Sequence, residues 1–112
     1  MNVSVKHYGT TLKVSVGGEL DMGVADQFRR ELDALLTKFP ETNLLLDFSR
    51  VVFIDSSGLG VILGRYKLLS KAGRTMVISG VQPQVERILE LSGIMKIIGI
   101  YPRETDALSQ LS

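Results

Sequence analysis

Apolar and polar residues alternate in two short runs near the start of the chain. Val3 and Val5 flank Ser4 and precede Lys6, while Leu12, Val14 and Val16 are interleaved with Lys13 and Ser15. A period of two sends successive side chains to opposite faces, so each run predicts a strand with one wet face. Gly9-Thr10 between them predicts a hairpin, and Gly17-Gly18 predicts the end of the second strand. The period then lengthens. Val24, Ala25, Phe28, Leu32, Leu35, Leu36 and Phe39 fall on one broad helical face, with Asp26, Arg29, Arg30 and Asp33 mostly opposite. Asp21 stands where a carboxylate caps free helix amides, and Pro40 closes the segment.

Asn43 to Phe48 and Val51 to Ile54 are apolar rather than alternating, as expected of strands in a sheet covered by helices. A second helical face follows in Leu59, Ile62, Leu63, Tyr66 and Leu69, widened at one edge by Leu68 and stopped at Gly73. Gly60 and Gly64, four apart on that helix, suggest close helix packing. Thr75 to Ser79 predicts a strand. A third helix starts at Pro83, uses Val85, Ile88, Leu89 and Leu91, and breaks at Gly93; a strand at Ile97 to Tyr101 and a helix at Pro102 to Leu111, anchored by Leu108 and Leu111, complete the chain. The order β-β-α-β-α-β-α-β-α predicts an α/β fold. Its sheet is mixed and mostly parallel, with an N-terminal antiparallel hairpin and about four helices covering at least one face.

Composition narrows the chemistry. At 112 residues and 45% hydrophobic content the chain suits one domain over 1–112, with a core that needs no staples. With no Cys and a single His, His7, it is expected to hold neither a thiolate metal centre nor a zinc site, and no cofactor is expected. No apolar run approaches the ~18 residues of a membrane span, and Met1 to Thr10 lacks the basic head and apolar block of a secretory signal. A cytoplasmic address is the default. The formal charge of +1 is too small to suggest direct nucleic-acid binding. It conceals an acidic stretch, in which Glu19, Asp21, Asp26, Glu31 and Asp33 outnumber Arg29 and Arg30. A basic one holds Arg65, Lys67, Lys71 and Arg74. Both also fit ordinary solvated helix faces.

The segment Phe53-Ile54-Asp55-Ser56-Ser57-Gly58-Leu59-Gly60 carries the strongest chemical signal. A strand runs straight through a polar turn into a helix, which puts free amides at the carboxyl edge of the sheet, the usual ligand edge of open α/β folds. A phosphate on a serine there would meet the positive end of the helix. The same residues fit a plain role, with Ser56 or Ser57 as helix cap and Asp55 as turn acid. Asp55 and Ser56 invite a hydrolase or phosphotransfer reading, but its usual motifs are missing: there is no G-x-S-x-G elbow, the one His lies in the opening hairpin, and Gly58, Gly60 and Gly64 lack the Lys-Ser/Thr of a phosphate loop. Gly18-Glu19-Leu20-Asp21 is a second polar turn beside a helix start, whose acids are too few for a metal site and suit exposure to water, an arginine from a partner, or a helix cap. Met22 and Met95 read as flexible contact or core residues.

The run Phe53 to Lys67, which continues past Gly60 as Val61-Ile62-Leu63-Gly64-Arg65-Tyr66-Lys67, resembles the signature of the anti-sigma factor antagonists, and most of all their sporulation branch. Gly18-Glu19-Leu20-Asp21 resembles the other characteristic loop of that family. Ser79-Gly80-Val81-Gln82-Pro83 and Ser92-Gly93-Ile94 resemble its later junctions, so the likeness spans Met1 to Leu111. The resemblance implies a STAS domain and a switch protein rather than an enzyme. It implies that the unphosphorylated form binds a dimeric, ATP-dependent anti-sigma factor serine kinase and so frees the sigma factor. Phosphorylation of Ser56 would end that binding, and a PP2C-type phosphatase would reverse it. Carried onto this chain, the contact surface comprises Glu19, Asp21, Asp55, Ser56, Ser57, Gly58 and Leu59, with Asp21 meeting a kinase arginine. The competing readings are a signalling STAS scaffold in a stress-response complex and, more remotely, a nucleotide-binding or hydrolysing protein.

Overall fold

Residues 1–111 are described by the computed structural model. Strands β1 (Asn2–Tyr8) and β2 (Thr11–Leu20) form the hairpin, and α1 (Ala25–Lys38) follows. Next come β3 (Asn43–Ile54), α2 (Ser56–Lys71), β4 (Met76–Ser79) and α3 (Pro83–Ser92). A short 3-10 turn, Ile94–Lys96, leads into β5 (Gly99–Tyr101) and α4 (Glu104–Ser109). The sheet order is β1-β2-β3-β4-β5, with β1 antiparallel to β2 and every later pair parallel. The expected α/β fold, mixed sheet and four helices are all present.

Alternation along the strands sorts the two faces. Leu12, Val14 and Val16 of β2, Leu44, Leu46 and Phe48 of β3, and Met76 and Ile78 of β4 bury against Phe28, Leu32 and Leu36 of α1. Val61, Ile62 and Leu69 of α2 and Val85 and Leu89 of α3 complete this main core. Each fully buried side chain of this kind contributes ~1.5–3 kcal/mol, which is what holds α1, a helix without a side-chain cap, in place. On the other face Leu45 and Val77 meet Ala107 and Leu111 in a smaller cluster. Helices therefore cover both faces, and α4 is tied down by the Lys13–Glu104 ion pair.

Several boundaries differ from the sequence reading for physical reasons. Gly17-Gly18 does not end β2. The strand shifts register against β3 at two points there and continues to Leu20, because β3 offers it a long partner: the two apolar segments of 43–54 are one strand. Leu91 is 78% exposed and Leu68 is 53% exposed, so neither belongs to its helix's buried stripe. Ile97 lies outside β5 because it caps the 3-10 turn Ile94–Lys96, and the last helix is shorter than 102–111 because Arg103, in extended conformation, is its N-cap. Gly73, at φ +71°, ends α2 as expected; the Arg74 amide then donates back to the Leu69 carbonyl at 2.8 Å.

Two of the four residues of the basic run are tied into the fold, while Lys67 and Lys71 are exposed. Arg65 forms an ion pair with Asp33 at 3.1 Å, linking α2 to α1. Arg74 donates to the carbonyls of Thr42 at 2.5 Å and Phe39 at 2.9 Å, closing the α1–β3 turn.

Asp47 sits on the α4 face of β3. Burial raises its pKa, but the Ser49 amide at 3.0 Å and the Ser15 hydroxyl at 2.9 Å outweigh it, and the net displacement is downward. A carboxyl whose pKa is lower folded than unfolded stabilises the fold above the unfolded value and loses that contribution as pH falls through the folded one. Asp47→Asn is therefore expected to flatten the acid side of the stability profile. Urea titrations of both forms between about pH 3 and pH 7 check this.

Candidate functional site

Two parallel strands deliver the site. In the β2–β3 register Glu19 stands beside Phe53 and Leu20 beside Ile54. The strands thus finish level, and Asp21 and Asp55 are the next residue of each. The Asp55 amide donates to the Leu20 carbonyl at 3.2 Å, which fastens the two exits together one residue past the ladder.

Asp55 is the N-cap of α2, with extended backbone. Its Oδ1 accepts from the amides of Ser57 at 2.9 Å and Gly58 at 3.1 Å, and its Oδ2 accepts from the amide of Met22 at 2.9 Å. One carboxylate thus satisfies two amides that the first helical turn leaves open, and a third from the neighbouring loop. This corrects two expectations. Ser56 and Ser57 lie inside α2 rather than capping it, because the carboxylate before them takes both amides at once. The Ser57 and Gly58 amides, expected to be open to a phosphate, are already occupied.

Asp21 does not cap α1. Its Oδ1 accepts from the Gly23 amide at 3.0 Å and its carbonyl from the Val24 amide at 3.1 Å, so it closes a turn just before the helix. The N-cap of α1 is Val24, which has no side-chain cap bond. Glu19 is exposed on the last turnward residues of β2, and Asp21 is half-buried.

Ser56 is exposed, and among the described residues its hydroxyl has no partner. Ser57 is half-buried. Leu59 is half-buried and packs against the main core. Gly58 is buried at the point where α2 passes the end of β2. A Cβ there would collide with the Leu20 carbonyl oxygen and lie 2.9 Å from Ile54 Cγ1. Gly60 and Gly64, by contrast, have open space where a Cβ would go, so they do not serve close helix packing. The structure therefore brings Asp21, Asp55, Ser56, Ser57 and Gly58 to one edge. It leaves Glu19 just behind them on β2 and divides Leu59 between surface and core. Among the described residues no three acids or histidines converge as a metal site.

The Ser56 hydroxyl is thus exposed at a helix start that the Asp55 carboxylate joins to the acidic Asp21 loop. The STAS domain sequence model matches residues 2–107. The chain belongs to the STAS domain family. The anti-sigma F factor antagonist of Paenibacillus polymyxa is 39% identical over 111 residues, covering 99% of this chain and 95% of that protein. The anti-sigma-B factor antagonist of Bacillus subtilis (strain 168) is 29% identical over 100 residues, covering 89% and 90%. The crystal structure of an anti-sigma factor antagonist from Mycobacterium paratuberculosis superposes with a TM-score of 0.87. Its identity is 29%, covering 98% of this chain and 92% of that one. The resemblance to the anti-sigma factor antagonists holds over the whole fold. No helix among the described residues of this STAS domain is long and apolar enough to cross a membrane.

Sequence reasoning missed the Asp55–Met22 bond. The available signal was the Asp two and three residues ahead of Ser57 and Gly58, the spacing of a carboxylate N-cap. Nothing local reveals its second oxygen's partner, 33 residues away.

Proposed function

We propose that this chain is a phosphorylation-controlled anti-sigma factor antagonist. The unphosphorylated form binds a dimeric, ATP-dependent anti-sigma factor serine kinase and thereby releases a sigma factor. The kinase phosphorylates Ser56 and ends the complex, and a PP2C-type phosphatase restores it. The chain acts as a binding protein rather than an enzyme, in the cytoplasm. The observation that carries this reading is the exposed Ser56 hydroxyl at the start of α2, beside the acidic Asp21 turn. Two relatives that align over nearly the whole chain bear the name anti-sigma factor antagonist, which supports it. Ser57 is the weaker acceptor, being half-buried behind the Asp55 cap.

The test is a mixture of this protein, the anti-sigma factor kinase of its own organism and ATP. Intact mass should rise by one phosphate, peptide mapping should place it on Ser56, and the complex should dissociate. Phosphate on Ser57 with Ser56 intact overturns the site, and stable binding without transfer overturns the switch.

Within this reading Asp21 contacts the partner through its carboxylate. Asp21→Asn exchanges a charged hydrogen bond for a neutral one, and the affinity should fall about tenfold with the melting temperature nearly unchanged. Isothermal titration of both forms reads the difference, and an affinity within about twofold of wild type removes Asp21 from the contact surface.

A further inference from the structure

Met22 is 79% exposed, and it belongs to neither buried cluster nor to the apolar residues packed around them. Its side chain therefore does nothing for the fold. Its backbone, in contrast, is held firmly. The Met22 amide donates to Asp55 Oδ2 at 2.9 Å, the Gly23 amide to Asp21 Oδ1 at 3.0 Å, and the Val24 amide to the Asp21 carbonyl at 3.1 Å. A large apolar side chain thus projects into water from a turn pinned by three successive amides. One of those bonds reaches the residue immediately before Ser56. Phe53, 42% exposed and paired with Glu19 near the ends of β2 and β3, is a second bare apolar residue at the same strand ends.

Pinning matters because ordering a loop on association costs free energy, and a turn already fixed in the free protein avoids that cost. Methionine suits the role: its unbranched thioether adapts to irregular apolar pockets, and methionine is enriched at contact surfaces. Leu91 is equally bare, but it lies at the far end of α3 with no bond to the Ser56 edge.

We propose that Met22 is the apolar anchor of the contact surface and that Asp55 is the positioning residue that aims it. The identity of the partner rests on the function proposed above. What the geometry adds is the chemistry of the partner's surface at this point: an apolar pocket that receives a thioether held on a pinned turn.

The experiment uses the full unphosphorylated chain and the anti-sigma factor kinase of its own organism. Met22→Ser should weaken binding at least about tenfold, while Met22→Leu stays within about threefold. Neither should move the melting temperature, because the side chain is bare. Asp55→Asn separates the two jobs of the carboxylate. A single amide oxygen still caps α2 but cannot also hold Met22. The Met22 amide should then exchange its hydrogen about tenfold faster while Leu59 and Val61 keep their protection. In a double-mutant cycle, the affinity lost through Asp55→Asn should be clearly smaller when Met22 is already Ser than in the wild-type background, the remainder being the carboxylate's own place in the contact surface. A Met22→Ser variant within about twofold of wild type overturns the anchor. Equal losses from Asp55→Asn in both backgrounds, or unchanged Met22 exchange, overturn the positioning role. Absence of binding by the wild-type chain is a different result: it overturns the proposed function, and the anchor with it.

Discussion

A phosphate on Ser56 is expected to lower affinity for the anti-sigma factor by at least about 100-fold, or roughly 2.7 kcal/mol, while leaving the fold unchanged. The modification adds about −1.5 to −2 charges and three strong acceptors. At many helix starts such a group would find free amides waiting. Here the amides of Ser57 and Gly58 are bound by Asp55 Oδ1, so the phosphate gains little from the helix and stands in solvent beside a carboxylate. Because Ser56 is exposed, a hydrated phosphate costs the free protein almost nothing. Docking is another matter. A partner shaped to a neutral hydroxyl must strip water from the dianion next to Asp55 and Asp21, at a cost of several kcal/mol unless it supplies new cations. Ser56→Ala should bind and resist modification; Ser56→Glu, with one charge and a flatter group, should give an intermediate loss. Titration calorimetry and amide spectra of homogeneous phosphorylated and unmodified protein check both halves. Equal affinities overturn the switch, and spectral changes spreading into α3 and α4 overturn its local character.

The architecture was readable from the chain because its signals are periodic. Alternation in 3–16 and the 3.6-residue stripes of 24–39 and 59–69 each report a local burial pattern, and the order of elements then restricts the sheet to few arrangements. The candidate site was readable only in part. Which residues cluster follows from the level ends of β2 and β3, set by a register that shifts twice between Ser15 and Glu19, and no local pattern encodes such shifts. The division of labour at the helix start was misread for a related reason. Serine and aspartate are both good caps; the spacing of Asp55 to Ser57 and Gly58 fits a carboxylate cap, but its further donor comes from the Met22 loop, whose path no local pattern encodes. The same limit explains the glycines. Gly58, Gly60 and Gly64 look alike in sequence, yet only the first passes against another backbone.

That distinction yields the largest stability effect expected from a single methyl group in this chain. Gly58→Ala should destabilise the fold by ~3 kcal/mol or more, at the upper end of overpacking costs. The added Cβ would meet the carbonyl oxygen of Leu20, a backbone atom, and Cγ1 of Ile54, which is itself buried. Neither can step aside by changing a rotamer of an exposed side chain, so α2 must lift away from the end of β2. The lift strains the bonds that Asp55 makes to the Leu20 carbonyl and to the Met22 amide, because both cross the same junction. Stability and the shape of the contact edge should therefore fail together. Gly60→Ala provides the control: it lies one half-turn further along the same helix, its Cβ points into open space, and it should be neutral or stabilising by ~0.5–1 kcal/mol through helix propensity alone. Urea denaturation of the three proteins, read by far-UV circular dichroism, gives the comparison. If Gly58→Ala and Gly60→Ala unfold at the same midpoint, the close approach of α2 to β2 does not constrain the native state. In that case the glycine at 58 serves a docking partner rather than the fold.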